Sequence, residues 1–414
     1  MNYLRVIRNN WKKCTFGACV SVYALQSLKT HIEIEQYMRE FSAKAQSNAA
    51  ATSERPKKVL VVMNPVANKK RSEKFFKNYC EPVLHLAGYS VDILRTNHIG
   101  HAKTYIQELA SLPDAIVVAG GDGTSSEVVT GLMRRRGKLC PITVLPLGRS
   151  VQDASKKFPI FGVKDVEYVK SLCSALEPML KDESKYQSVL RFDVINETDD
   201  DEQHLKPIYG LSGLSWGLLK DIDLAKDKYW YFGPLRHYAS AAFRYFADNW
   251  SLKTDYVYTP PCPGCIDCAS ALQRQEDVPL PAGRFTNILF KYKKSIPSEE
   301  PARALVKNDN CSNKFEGSIE ANQINIKCTQ NKDNFAELES QFISSLEPGW
   351  DYIMQIPQVV GSSSILPTLV VNSRTIQLHP AGEMADKFYS IDGEEYDARP
   401  IKVSVVPNAI KVFG

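Results

Sequence analysis

The stretch Ala115-Ile-Val-Val-Ala-Gly120-Gly121-Asp122-Gly123-Thr124-Ser-Ser-Glu127 decides the fold. Ala115 to Ala119 is apolar, β-branched and too short for a helix, so it reads as a buried strand. Two glycines turn the chain, and Thr124 to Arg136 then takes up helical spacing. Strand, glycine turn and helix open a βαβ unit. At such a turn backbone N–H groups can approach an anion closely, and the helix N-terminus favours negative charge. The spacing is not the GxGxxG of a dinucleotide site. Nor is it a Walker A loop: Gly131 to Lys138 has five residues between its glycines and lacks the final Ser or Thr. Asp122 is the informative residue. A carboxylate beside a phosphate nest repels the ligand unless it holds a cation or takes a proton from a nucleophile. Thr124-x-x-Glu127 also has the form of a capping box, a structural role that competes with any role in the site.

The same grammar extends outward. Val59 to Met63, Val91 to Leu94 and Ile142 to Leu145 read as strands, and Ser72 to Ala87 and His101 to Ser111 as helices. Pro82 predicts a kink or break in the first of these helices. The alternation predicts a doubly wound parallel α/β sheet, whose ligands sit at the carboxyl ends of the strands. Met63-Asn64-Pro65 closes the first strand and Pro146-Leu147-Gly148-Arg149-Ser150 the fourth, so three strand ends share one edge. Asn68-Lys69-Lys70-Arg71 reads as a solvated turn. From Ile208 onward short strand-like runs with Gly, Pro and Asn turns predict an antiparallel β domain. They are Ile208–Leu214, Phe285–Tyr292, Ser318–Ile326, Tyr352–Ile356, Thr368–Val371, Thr375–His379, Phe388–Ile391 and Ile401–Val405. An aromatic helical stretch, Tyr229 to Trp250, interrupts them, and ordinary core packing accounts for most of its rings. Segments 260–281 and 295–313 read as surface insertions. Three parts follow: 1–56 as leader and linker, 57–200 as the nucleotide-binding domain, and 201–414 as the β domain.

The chain has 414 residues with 43% hydrophobic and 24% charged, which excludes a disordered or fibrous protein. Its net charge of +4 has one source. Residues 1–32 carry Arg5, Arg8, Lys12, Lys13 and Lys29 with no acid before Glu33, and removing those five leaves 46 basic against 47 acidic residues. The body therefore lacks the basic excess of a nucleic-acid binder. An acid-free, basic leader has the form of a mitochondrial presequence. Its uncharged part, Cys14 to Leu28, would span roughly 22 Å as a helix, short of the roughly 30 Å hydrocarbon core. A secretory signal and an N-terminal helix packed on the body are the competing readings. Ten cysteines are too few for a disulfide scaffold. Cys80 and Cys140 read as buried thiols. Cys262-Pro-Gly-Cys265-Ile-Asp-Cys268 has metal or disulfide spacing, yet it offers three ligands in a Pro-rich stretch without a histidine, and an insertion is the simpler reading.

Asn64-Pro at the first strand, GGDGTxxEVV at the third and Pro-Leu-Gly148 at the fourth resemble, in this order, the diacylglycerol/sphingosine/ceramide kinase family. Ser215-Trp216-Gly217…Asp221-Ile-Asp223…Lys228-Tyr229…Gly233 is similar to a later block of that family, and Asp392-Gly393-Glu394 to its DGE loop. The resemblance runs from about Lys57 to the C-terminus outside the insertions. It implies an N-terminal α/β domain and a C-terminal antiparallel β-sandwich with a nucleotide cleft between them. It further implies a kinase that uses ATP and Mg²⁺ to phosphorylate monoacylglycerol and diacylglycerol. Asp122 would be the general base, with Glu127 supporting it. Gly120, Gly121, Gly123 and Thr124 would cradle the phosphates. Asn64, Gly148, Ser150, Arg236 and Gly393 would complete the nucleotide site, and Glu394 would help to hold the metal. Asp221 and Asp223 would face the acceptor's polar head. The family has a glycine soon after NP and a Thr after PxG; here stand Val66-Ala67 and Arg149. Members resembling this chain are mitochondrial, on the inner membrane or in the intermembrane space, and associate with the inner-membrane carrier translocase. A catalysis-independent role there, a sphingosine or ceramide kinase, and an NAD kinase with the same GGDGT are the alternatives.

Overall fold

The computed structural model describes residues 10–49, 56–135 (68 and 69 by backbone alone), 139–148, 166–195, 206–246, 251–262, 265, 308, 310–331, 335–347, 349–360, 365–381 and 388–414. The chain divides into two compact units. The first comprises 1–187, 209–211 and 408–414, the second 188–208 and 212–407. The sequence reading set the division at residue 200. The units divide instead within strand β5, Ser184–Val194, where no change of composition marks the place.

In the first unit four parallel strands lie in the order β2-β1-β3-β4: Tyr89–Arg95, Lys57–Met63, Ala115–Gly120 and Ile142–Pro146. Val61 pairs with Val117, and Val118 with Val144. Every residue of β3 is buried, as a parallel strand covered on both faces requires. Val59, Val61, Met63, Val117 and Ala119 supply one face. They pack with Phe76, Val83 and Leu84 and with Leu172 and Leu176 of helix α4, Val166–Leu180. Helices α2, His101–Glu108, and α3, Asp122–Met133, add Ile106, Val128, Val129 and Leu132 to the buried set. The segment from Ser72 to Leu86 is helical but breaks into a π turn at Phe76–Cys80 directly before Glu81-Pro82, the irregularity a proline without an N–H imposes. Cys80 and Cys140 are buried thiols, as their positions predict.

The N-terminal segment is one helix, α1, Trp11–Ala49. Trp11, Phe16, Val20, Leu25 and Leu28 are exposed, whereas Ile34, Phe41 and Ala45 are buried against the first unit. Lys44 Nζ reaches Glu177 Oε1 at 2.9 Å. The linker expected at the end of segment 1–56 is therefore corrected: the helix continues to Ala49 because its inner stripe still has a partner in α4, and 50–55 lie outside the described residues. None of the described helices is long and apolar enough to cross a membrane.

The second unit holds the expected β-sandwich. One sheet is antiparallel, in the order β12-β11-β10-β7-β14-β15: Leu369–Ser373, Ala336–Ile343, Gln323–Gln330, Leu214–Gly217, Phe388–Ile391 and Glu394–Asp397. The other pairs β13, Thr375–Pro380, with β16, Ile401–Phe413, and with β8, Leu252–Thr259, which pairs with β9, Phe315–Ala321. Phe192, Trp216, Ile324, Phe342, Ile376, Tyr389 and Val403 fill the space between them. Burying a ring the size of Trp216 contributes about 3 kcal/mol. Beside the sandwich, helices α5, Leu218–Ala225, α6, Arg236–Arg244, and α7, Trp350–Val360, share a smaller core of Leu219, Ile222, Ala241, Tyr352 and Val359.

Three sequence expectations need correction here. Tyr352–Ile356 lies within helix α7, because its apolar residues serve a helical core rather than a sheet face. The run Ser318–Ile326 is two strands, turned at Asn322, whose backbone and side chain both serve neighbouring loops. Cys262 and Cys265 are buried rather than part of a loose insertion, and they meet Cys311. Phe285–Tyr292 and Cys268 lie outside the described residues.

Gly217 shows how tightly the sandwich meets α5. Its φ is 124°, and a Cβ there would stand 2.2 Å from the Asn322 carbonyl oxygen, which accepts the Leu218 N–H at 2.9 Å. Gly217→Ala should cost about 2–4 kcal/mol and lower the unfolding temperature by at least about 5 °C. Thermal denaturation followed by circular dichroism checks this; an unchanged midpoint would contradict the packing described.

Candidate active site

In the first unit the site forms where β1, β3 and β4 end. Asn64 follows β1 and donates its backbone N–H to Ala119 O at 3.1 Å, which holds the first turn against β3. Its side chain bridges the turns: Nδ2 donates to Thr124 Oγ1 at 3.3 Å, and Oδ1 accepts the Val66 N–H at 3.0 Å. Gly148, just past β4, lies against Gly121. A Cβ on Gly148 would come within 2.8 Å of the Gly121 Cα, so that loop closes on the glycine turn only without a side chain. Asn64, Gly120, Gly121, Gly123, Thr124 and Gly148 are thus brought together at one sheet edge. Ser150 lies outside the described residues.

Helix α3 starts at Asp122, two residues earlier than the spacing indicates, with Gly121 in extended conformation as its cap. The capping box is therefore corrected. Thr124 is inside the helix and almost fully buried, and no side chain caps Gly121. Glu127 instead reaches sideways, Oε1 accepting the Gly100 N–H at 2.7 Å and Oε2 the Ala102 N–H at 3.1 Å. Both oxygens serve the start of α2, where a carboxylate also offsets the helix dipole. Glu127 is therefore a positioning residue. Asp122 is exposed in the first turn of α3, beside amides that point out of the helix start. A phosphate chain held there would have a carboxylate at its flank, the arrangement that phosphoryl transfer to a hydroxyl uses.

The remaining candidates belong to the second unit. Asp221 and Asp223 lie on α5, each paired with a lysine. The Lys220 side chain is 5% exposed, and its Nζ donates to Phe388 O at 3.2 Å and Glu395 Oε1 at 3.3 Å and lies 3.6 Å from Asp221 Oδ1. Arg244 holds the other Asp221 oxygen at 3.2 Å. Lys226, 5% exposed at its side chain, pairs with Asp223 at 2.5 Å. Surrounding protein raises the Asp221 carboxyl above the ordinary aspartate value, with Lys220 and Arg244 pulling it down, although 40% of the side chain is exposed. With the folded pKa raised, the linked contribution to stability is present at low pH and fades as pH rises through that pKa. Arg236 engages Asp227 at 3.3 Å. Gly393 turns with φ 84°, and Glu394 accepts the Tyr396 hydroxyl at 3.1 Å.

Asp392, in the same DGE loop, is 3% exposed, and its Oδ1 accepts the N–H groups of Ser212 and Gly213, both at 2.9 Å. It pins the loop that leads into β7, a role the sequence reading did not assign. Gln323 was missed as well: its Oε1 accepts the Leu219 and Lys220 N–H groups at 3.0 and 3.3 Å and so caps α5 from a neighbouring strand. No local signal marks either residue, because both act across long sequence separations. The aromatics are also corrected. Trp230, Tyr231, Phe243 and Phe246 are 75%, 61%, 49% and 80% exposed rather than core; for Phe243 the reason is that α6 is held through Ala241 and Ser240 instead.

An α/β unit with a glycine turn and a flanking carboxylate at its sheet edge, together with a β-sandwich unit, defines a lipid kinase of the diacylglycerol kinase type. Residues 58–186 match the diacylglycerol kinase catalytic domain, and residues 211–414 match the acylglycerol kinase C-terminal domain. The mitochondrial acylglycerol kinase of Mus musculus is 27% identical over 433 residues, covering 99% of this chain and 96% of that protein. The Homo sapiens protein of that name is 27% identical over 432 residues with the same coverage. Sphingosine kinase 1 of Rattus norvegicus is 29% identical over 204 residues, 46% of this chain and 49% of its own length. A crystal structure of a diacylglycerol kinase from Bacillus anthracis str. Sterne shares the fold, with a TM-score of 0.50 and 15% identity, covering 87% of this chain and 98% of its own. The chain belongs to the acylglycerol kinase family of lipid kinases, and membership of a kinase family implies that it uses ATP.

Glu127→Ala should cost about 1–2 kcal/mol through the lost cap of α2, and Glu127→Gln about half of that, because the amide keeps one acceptor. Denaturant unfolding gives the stabilities. Equal losses for both variants, together with a shifted pH profile of kcat, would mark Glu127 as a proton-transfer group instead.

Proposed function

We propose that the protein transfers the γ-phosphoryl group of ATP to monoacylglycerol and diacylglycerol, giving lysophosphatidic and phosphatidic acid, at a mitochondrial membrane. The observation that carries this reading is Asp122, exposed in the first turn of a helix that follows the glycine turn. Its carboxylate takes the proton from the attacking glycerol hydroxyl, while the Gly120–Thr124 amides hold the phosphates. Gly148 and Asn64 keep the two neighbouring loops in register with that turn. Mg²⁺ keeps most of its waters and needs one or two protein carboxylates besides the phosphates, a donor set that Glu394 fits. When bound, the metal neutralises charge on the nucleotide. Asp221 and Asp223 bind the acceptor's head.

Access to a lipid comes from the exposed aromatic face of the second unit. Trp230, Tyr231, Leu235, Phe243 and Phe246 are all exposed, and Trp and Tyr suit a membrane interface. The exposed apolar residues of α1, Trp11 to Leu28, support inner-membrane attachment. A translocase-associated role would use the same segment, and rescue of carrier import by an Asp122→Asn protein would separate it from catalysis. Sphingosine is the second reading, favoured by the partial match to sphingosine kinase.

Labelled γ-phosphate from Mg-ATP, offered in parallel to monoacylglycerol, diacylglycerol, sphingosine, ceramide and NAD, tests the assignment. Label should appear on the glycerolipids with the wild type. In Asp122→Asn, with the fold unchanged, kcat should fall by about 10²–10⁴. Normal turnover in that variant would remove Asp122 from the role of base, and label on sphingosine or NAD would replace the acceptor. A double change, Trp230→Ser with Phe246→Ser, should lower the rate on vesicle-borne diacylglycerol at least about tenfold while sparing a water-soluble short-chain acylglycerol. Equal loss on both would show that the face does not serve the membrane.

A further inference from the structure

Cys262 and Cys265 follow the end of β8, and Cys311 stands just ahead of β9, the strand paired with it. The three residues are 9%, 1% and 4% exposed and form a cluster of their own, apart from the large cores. Their Sγ atoms all lie within 4.8 Å of one another. Three thiols gathered in this way gain little as thiols, since S–H is a weak donor and sulfur a weak acceptor. A single disulfide would strand the third. As thiolates around one cation all three are used: tetrahedral zinc with bonds of about 2.3 Å sets its sulfurs roughly 3.7 Å apart, a small contraction of the present spacing.

The surroundings suit a thiolate site. Arg374 Nη1 donates to Cys311 Sγ at 3.3 Å, and Asn308 Nδ2 to Cys262 Sγ at 3.6 Å. N–H groups aimed at ligating sulfurs orient them and offset their charge. Three thiolates and Zn²⁺ leave one negative charge, which the Arg374 guanidinium neutralises. Arg374 is itself tied to the end of β8, its backbone N–H donating to Thr259 O at 3.0 Å. The turn that presents Cys311 is pinned as well: Asn308 O accepts the Cys311 N–H at 3.1 Å, and Asn308 Oδ1 accepts the Asn310 N–H at 3.1 Å.

We propose that Cys262, Cys265 and Cys311 bind a structural zinc ion that closes the neck of the connection between β8 and β9. The sequence between β8 and β9 is roughly 55 residues, and a cross-link at its base lowers the entropy of the unfolded chain over that span. Three sulfurs select a soft or borderline cation, of which zinc needs no redox partner. The three cysteines belong to the second unit and Asp122 with the glycine turn to the first, so loss of the metal leaves the glycine turn's own fold in place.

Metal content decides it. The full-length chain, expressed with zinc in the medium and purified under reductant without chelator, should carry about one zinc per chain by mass spectrometry. Cys262→Ser, Cys265→Ser and Cys311→Ser should each lower this at least tenfold, while Cys328→Ser and Asp122→Asn keep it. Arg374→Gln should weaken zinc binding about tenfold in competition with a chromophoric chelator. Cobalt substituted into the wild type should give the thiolate charge-transfer band of a tetrahedral sulfur-rich site, a readout that does not depend on whether a serine variant folds. A wild type that takes up neither zinc nor cobalt would overturn the proposal. So would zinc retained by the triple serine variant, or recovery of two of these cysteines as a disulfide from the reduced preparation.

Discussion

Parallel pairing of β1, β3 and β4 is the constraint on which the first unit depends. Parallel strands begin and end in the same sense, so their C-terminal turns must crowd together at one edge. Crowding is tolerable only where side chains are missing or bonded. Gly120 and Gly148 give the first condition, since a Cβ on either would collide with Thr124 or with the Gly121 backbone, and the Asn64 amide, donating to Thr124, gives the second. The early start of helix α3 follows from the same crowding. Because the chain turns at Gly120 and Gly121 with no bulk to avoid, Asp122 already takes helical geometry, and its carboxylate stands in the first turn.

The second unit is held by polar groups acting at a distance rather than by local capping. Lys220, Gln323 and Asp392 are each nearly buried and each reaches groups far away in sequence. Asp392 fixes the approach to β7, Gly217 turns the chain at its end, and Gln323 caps the helix that follows. Lys220 then ties that helix to β14 and β15 through Phe388 and Glu395. A buried lysine left without such partners would be strongly destabilising, which is why its acceptors come as a set. Asp221 is held by this arrangement and by Arg244, and Asp223 by Lys226.

Local pattern made much of this legible. The β-branched runs gave the four parallel strands, and the glycines with Asp122 marked the turn at their edge. The proline at 82 announced the irregular helix before it. Pattern failed where an element's partner decided its state. Tyr352–Ile356 has strand-like composition, yet it is helical because α6 and Ile222 offer it a helical groove. The aromatics near Trp230 look like core, yet Trp230, Tyr231 and Phe232 are exposed while the helix after them is anchored through Ala241. Glu127 fits a capping box by spacing, but the helix starts too early for that box to form.

What the sequence determined by itself was the order of elements, the parallel sheet and the family whose motifs it carries, because each depends on residues within one short window. What only the tertiary structure decided was which side chains meet. It gave Glu127 to the neighbouring helix, Asp392 to the loop before β7, and Cys311 to two cysteines more than about forty residues earlier in the chain. Spacing along a chain fixes direction within one element, but contact between elements depends on how strands pair and which faces remain to be covered, and no single window holds that information.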